Sequence, residues 1–151
     1  MKKLCTFLVC AMLFLCIAVP CSAADAGAEE VIYYKEETLD GGITIITTVT
    51  VPAIQARAST KTATARQEYT RSGATIAVIA VTGTFRYDGT TVSVVSKTVS
   101  QTDTYDGWSY SQSSFTSSGG TITLTGKLTK FLSWSVPVEI TLSCDKNGNL
   151  S

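Results

Sequence analysis

The sequence holds few of the side chains that enzymes use for chemistry. It contains no histidine, which excludes Ser-His-Asp and Cys-His nucleophilic arrangements and any imidazole metal site. Cys144 lies on the apolar side of an alternating segment, where a free cysteine acts as a small core residue. Asp88, Asp103 and Asp106 lie in turns or connections and are not paired across a cleft, as glycoside hydrolysis requires. We therefore predict that the protein is not an enzyme and has no catalytic residue, cofactor or metal site.

Three aromatic residues, Tyr105, Trp108 and Tyr110, form the one cluster with a possible binding role. Trp108 and Tyr110 share a face of one predicted strand, and Tyr105 lies just before it. Aromatic rings in a row on a sheet can stack on sugar rings, which would make the protein a carbohydrate-binding module. Aromatic residues on one strand face also serve simply as core. Both interpretations stay open at this point.

The segment DKNGN at residues 145–149 resembles the start of a calcium loop, with oxygen-bearing side chains at alternate positions. Its glycine is misplaced for such a loop, and no closing glutamate follows. We predict a solvated turn in a polar tail instead.

The N-terminal segment has the pattern of a secretory signal peptide. Lys2 and Lys3 precede an apolar run over residues 4–19, and small residues follow it. We predict cleavage after Ala24, with Ala23 and Ala26 as alternatives, so that residues 1–24 are a signal-peptide helix. The run is too short for a membrane-spanning anchor. Pro20, directly before Cys21, argues against lipoprotein processing. The expected location is outside the cell, free or associated with the cell wall.

Cleavage leaves 127 residues, the size of one domain over residues 25–151, with Cys144 as its only cysteine. The core must therefore form without an internal disulfide. The full chain has 12 basic and 12 acidic residues. Losing Lys2 and Lys3 leaves 10 basic residues, a net charge of −2 with no basic run. Nucleic acid and a membrane surface are therefore not expected partners after cleavage.

The strongest structural signal lies in residues 73–99, where two runs of β-branched and aromatic residues flank Asp88-Gly89. Asp-Gly between such runs predicts a hairpin with a type I′ turn. Residues 74–81 are apolar on both faces, which predicts a central strand that is covered on both sides. If Ala77, Ile79 and Val81 were not covered, we would expect self-association.

Alternating segments punctuated by glycine continue along the chain. We predict seven or eight short strands in an all-β, antiparallel two-sheet sandwich with largely meandering order, and an open β-barrel as the alternative. Val94-Val95 breaks one alternation and indicates a bulge. Pro137 restricts its strand to an edge or a first position. The predicted strands are residues 31–37 (an exposed edge), 43–51, 60–71, 74–81, 91–100, 108–116, 121–131 and 136–144.

Several segments together resemble a family of small exported β-rich proteins of unknown function from Gram-positive bacteria. They are GGITIITTVTV, ASTKTATARQEYTRSGATIAVIAVTGTFRYDG, TYDGWSYSQSSFTSSGGT, LTGKLTKFLSWSVPVEITLSC and the Asn-Leu-Ser ending. The resemblance implies export and a β-rich domain, and it brings no activity and no site residues.

We expect an exported, non-enzymatic binding or cell-surface module whose partner is a cell-wall or host glycan or another protein. A secreted bacteriocin-like or toxin-like effector is the first alternative, since the chain is small and exported. A carbohydrate-binding module using Tyr105, Trp108 and Tyr110 is the second.

Overall fold

A computed structural model describes residues 28–53, 59–102, 104–105, 107–131 and 134–151. The predicted signal peptide, most of the loop after Pro52, Asp103 and Asp106 lie outside these ranges. The described strands are β1 (Glu29–Leu39), β2 (Ile43–Pro52), β3 (Thr60–Arg71), β4 (Ala74–Tyr87), β5 (Val92–Thr102), β6 (Trp108–Ser118), β7 (Thr121–Lys130) and β8 (Trp134–Ser143). Within these ranges no helix is long and apolar enough to cross a bilayer.

The strands form two antiparallel sheets, a five-stranded sheet in the order β1-β2-β3-β4-β5 and a three-stranded sheet in the order β6-β7-β8. Every neighbouring pair within a sheet is consecutive in the chain. The predicted all-β, meandering two-sheet sandwich is therefore confirmed, and the open-barrel alternative does not apply. β1 and β8 are edge strands, as the charges of β1 and Pro137 of β8 indicated.

The core lies between the two sheets, and strand alternation fills it. Alternate residues of β7 and β8 face inward and are buried, as predicted: Ile122, Leu124, Leu128, Val136, Val138, Ile140 and Leu142. Cys144 follows them in the same phase, is free and is 4% exposed. Burial raises the pKa of its thiol, which keeps the sulfur protonated and unreactive.

β4 is an inner strand of its sheet, but only one of its faces is covered. Ala77, Ile79 and Val81 face the three-stranded sheet and are fully buried, so they offer no surface for self-association. Val78 and Ala80 on the other face are half-buried. No second layer of described residues lies on that face, so within the described chain the expectation of cover on both sides is wrong there. Side chains of the neighbouring strand β3 cover this face in part, because Val78 and Ala80 pair with Glu68 and Arg66. These two charged residues form an ion pair.

The β4–β5 hairpin is confirmed, but its turn differs from the prediction. Tyr87 pairs with Val92, so the connection has four residues, and only Gly89 among them has a positive φ. The Asp88 carboxylate accepts hydrogen bonds from the backbone N–H groups of Thr90 and Thr91. A type I′ turn needs a positive φ at both central residues.

That geometry occurs instead in the β3–β4 connection. Ser72 and Gly73 have φ values of 51° and 79°, and they join strands that pair from Arg71 and Ala74 onward. The Val94-Val95 irregularity is confirmed as a bulge, because Thr84 pairs with Ser96 and Phe85 pairs with Val94, which leaves Val95 unpaired.

Candidate functional site

The two sheets differ in width, and this difference creates a concavity along the edge of the three-stranded sheet. The three-stranded sheet lies over β3, β4 and β5, with β8 against β3 and β4. The inner face of β1 extends beyond it as an overhang, while the inward side chains of β2 (Ile43, Ile45, Val49 and Val51) are buried. Along β1, the side chains of Val31, Ile32, Tyr33 and Tyr34 are all exposed, at 43–58%.

A groove of about 650 Å³ lies between β1 and β2 on one side and the edge of β8 on the other. Its floor is formed by β1 and β2, through Ile32, Tyr33, Lys35, Glu37, Thr47 and Val49. Its opposite wall is formed by β8 and the C-terminal segment, through Glu139, Thr141, Leu150 and Ser151. A smaller cavity of about 170 Å³ continues toward Pro137 and shares Glu37, Gln67 and Glu139 with the groove. Together the two form a trough along the outer edge of β8.

A side-chain bridge crosses the trough at Gln67. Gln67 Nε2 donates a hydrogen bond to the backbone carbonyl of Glu139 at 3.0 Å. The Tyr69 hydroxyl in turn donates to Gln67 Oε1 at 2.6 Å. Tyr69 is fully buried, and this burial raises the pKa of its hydroxyl well above the usual value. The phenol is therefore a permanent donor that orients the amide of Gln67 toward β8.

Replacing Gln67 by Leu is expected to lower the free energy of unfolding by about 1–3 kcal/mol, because it leaves the buried Tyr69 hydroxyl without its acceptor. Urea unfolding measures the loss. In a Tyr69→Phe background the same replacement should cost less, since no buried hydroxyl is then left unpaired. Equal costs in the two backgrounds would show that the bridge contributes nothing.

The C-terminal segment, predicted as a polar tail, is a folded part of the groove wall. Ser143 and Ser151 exchange both backbone hydrogen bonds, at 2.7 and 2.9 Å, and Cys144 bridges to Leu150. The Asp145 carboxylate closes the turn between them by accepting hydrogen bonds from the backbone N–H groups of Asn147 and Asn149 at 2.8 Å. Accepting hydrogen bonds from nearby backbone N–H groups is typical of an aspartate in a turn.

The pKa of Asp145 is held below its ordinary value, first by the hydrogen bonds from the backbone and side chain of Asn149. A carboxyl group with a lowered pKa stabilises the fold above its unfolded pKa of about 3.9, and this stabilisation is lost as the pH falls through the folded pKa. We therefore expect a gap between the thermal unfolding midpoints of the wild type and Asp145→Ala. Measured from pH 7 to pH 2, this gap should be constant above about pH 5 and close below about pH 4.

Asp88 and Glu68 also have lowered pKa values, and their contributions are present in both proteins, so the gap isolates Asp145. A gap that is independent of pH would contradict a role for the carboxylate charge.

The aromatic residues singled out from the sequence lie away from the groove lining. Trp108 is only 4% exposed and belongs to the core, Tyr110 is half-buried, and Tyr105 is 51% exposed. The Tyr110 hydroxyl is buried with no hydrogen-bond partner among the described residues. The three rings do not form one exposed face. Their role in stacking on sugars stays a prediction.

The groove residues themselves were not predicted. One local signal was present, because Gln67 occupies the inward phase of β3 between the buried Ala65 and Tyr69. A polar side chain in that phase indicates that the sheet above it ends there.

Charged, polar and apolar groups all line the groove. Lys35 and Glu37 form an ion pair on its floor, and no group of three potential metal ligands occurs among the described residues. Glu139 adds a second carboxylate to the lining, and the remaining groups are hydroxyls, amides, backbone and apolar surface, which suit the binding of an extended molecule. Compared with known proteins, the chain matches no family model, no curated protein and no solved structure.

Proposed function

We propose that the protein is an exported, non-enzymatic binding module and that the trough beneath β1 and β2 is its ligand site. The observation that carries the proposal is the groove of about 650 Å³ between the overhang and β8. Its volume lies within the range of ligand sites, and its lining combines apolar and aromatic surface with a few polar groups. Exposed apolar side chains on β1 border it, and such patches mark interaction surfaces.

The geometry of the trough favours an elongated ligand. It runs along a strand edge from Ser151 toward Pro137 and is open to solvent beside β1. A chain molecule, either a cell-wall or host glycan or a polypeptide, fits this shape better than a compact metabolite.

Export and ligand binding are tested separately. For export, fractionation of the producing culture and N-terminal sequencing should find the protein outside the cell and beginning at Asp25. Retention of Lys2 and Lys3 in the mature protein would contradict export by signal cleavage.

For binding, calorimetric titration of the mature protein against muropeptides, chito-oligosaccharides and strand-forming peptides should find one class that binds. Thr141→Trp, which adds a bulky side chain at an exposed position of the groove wall, should abolish that binding. Thr116→Trp, at an exposed position of β6 away from the groove lining, should retain it. No binding by any of the three classes, or binding that Thr141→Trp leaves intact, would count against the groove.

A further inference from the structure

The outer edge of β8 presents backbone groups that none of the eight described strands pairs. Ser143 directs its N–H and C=O away from β7, toward Ser151. Residues of an antiparallel strand alternate in the direction of their backbone groups, so Thr141 and Glu139 direct theirs to the same outer edge. The Glu139 carbonyl bonds to the side chain of Gln67. Among the described residues, no other hydrogen bond at this edge involves Glu139 or Thr141.

A fourth strand of the smaller sheet has already begun at this edge. Leu150 and Ser151 lie antiparallel to β8, opposite Cys144 and Ser143. Leu150 packs against the core, so it faces inward and Ser151 faces outward. A strand that continued from these two residues along β8 would pass Thr141 and Glu139 and enter the groove.

We propose that the trough takes an extended polypeptide segment, which adds to β8 as a fourth strand in line with Leu150 and Ser151. This inference rests on the proposed function and names its ligand class. A polypeptide is favoured over a glycan because the edge repeats an N–H and a C=O at every second residue, about 6.8 Å apart, and a peptide backbone matches that repeat.

The same geometry specifies the ligand's pattern. Side chains alternate between the two faces of a strand. Because Ser151 faces outward, the next residue of the fourth strand faces the groove floor at Thr47 and Val49, and so does every second residue after it. Apolar side chains are needed at those inward positions. The strand ends opposite Pro137, which has no N–H to offer. In the free protein the side-chain amide of Gln67 donates a hydrogen bond to the Glu139 carbonyl. A backbone N–H of the incoming strand replaces this donor.

The first test uses the chain's own tail. Extending Ser151 by Val-Thr-Val-Thr-Val places valines at the inward positions, whereas Thr-Val-Thr-Val-Thr has the same pattern in the opposite phase. We expect the first extension to raise the midpoint of thermal unfolding by about 4 °C or more over the second, a shift of the size that one added kilocalorie of stability gives a domain of this length. Equal midpoints for the two extended proteins would overturn the inference.

The second test supplies the strand in trans. A labelled Lys-Val-Thr-Val-Thr-Val-Lys peptide, titrated into the unextended protein, should give saturable fluorescence anisotropy. Thr141→Pro removes one edge N–H that β7 does not use, so it should weaken binding at least tenfold while leaving the circular dichroism of the sheet unchanged. Binding that Thr141→Pro does not weaken would overturn the inference, and so would absence of binding. If Thr141→Pro fails to fold, the two extensions decide.

The outcomes also separate the inference from the function on which it rests. A glycan that binds in a manner abolished by Thr141→Trp, with no peptide binding and no effect of extension phase, would refute strand addition and leave the groove as the ligand site. No binding by glycan or peptide would refute both.

Discussion

Replacing Phe85 by Ala is expected to lower the free energy of unfolding by about 3–5 kcal/mol, because it leaves a large cavity between the two sheets. Phe85 is fully buried on the inner face of β4. Its ring borders the space above Gly83, where a Cβ atom would lie 3.1 Å from the ring and 2.4 Å from Ile122 Cδ1. Phe85 and Ile122 thus pack together across the two sheets at a position where only glycine leaves room.

Urea unfolding followed by tryptophan fluorescence measures this loss, and Arg86→Ala is the matched control. Arg86 follows Phe85 on the opposite face and is exposed, so its replacement should change stability by no more than about 0.5 kcal/mol. A similar loss of unfolding free energy in the two variants would contradict the packing of Phe85 between the two sheets.

Replacing Leu124 by Ala is expected to cost about 2–5 kcal/mol, because it opens a cavity on the inner face of the three-stranded sheet. Leu124 is fully buried at the centre of β7. Its strand partner Ile140 is buried beside it, and this restricts how far the site can collapse.

Thr123→Ala provides the comparison within the same strand, since Thr123 is half-buried on the other face. The two unfolding free energies should differ by more than 1 kcal/mol, with Leu124→Ala the less stable protein. The reverse order would show that the inward and outward faces of β7 have been exchanged.

Much of this fold follows from local sequence pattern. The bounds of β3, residues 60–71, agree with the prediction, and β2, β6, β7 and β8 differ from it by two residues at most at either end. β2, β7 and β8 alternate between apolar and polar residues, and glycine or proline lies at or near an end of β2, β3, β6 and β7, so local information places these strands. β4 extends to Tyr87, beyond its doubly apolar part.

The turn types were less predictable, because side-chain capping competes with backbone preference. Asp-Gly is the commoner type I′ pair. At Asp88 the carboxylate instead bonds to the N–H groups of Thr90 and Thr91 and stabilises a longer connection. Ser72-Gly73 adopts the positive φ values, since two-residue hairpin connections favour the primed turns, whose twist matches that of the strands.

The candidate site could not be predicted, because it depends on distant parts of the chain. Gln67 and Glu139 are 72 residues apart and meet only because β8 lies over β3. The unequal widths of the sheets follow from how the eight strands divide five to three, and no local pattern contains that division. Residue type and the strand face that Trp108 and Tyr110 share indicated a possible site at Tyr105, Trp108 and Tyr110, whereas the burial of Trp108 follows from tertiary packing.

Amide hydrogen exchange at Thr141 tests the central claim most directly, namely that the outer edge of β8 is open and receives a strand. In the free protein the Thr141 N–H should exchange rapidly, while the N–H of Ile140, which points to β7, should be protected. Adding the Lys-Val-Thr-Val-Thr-Val-Lys peptide should slow exchange at Thr141 and leave Ile140 unchanged. A Thr141 N–H that is protected in the free protein, or that exchanges as fast with the peptide as without it, would contradict the claim.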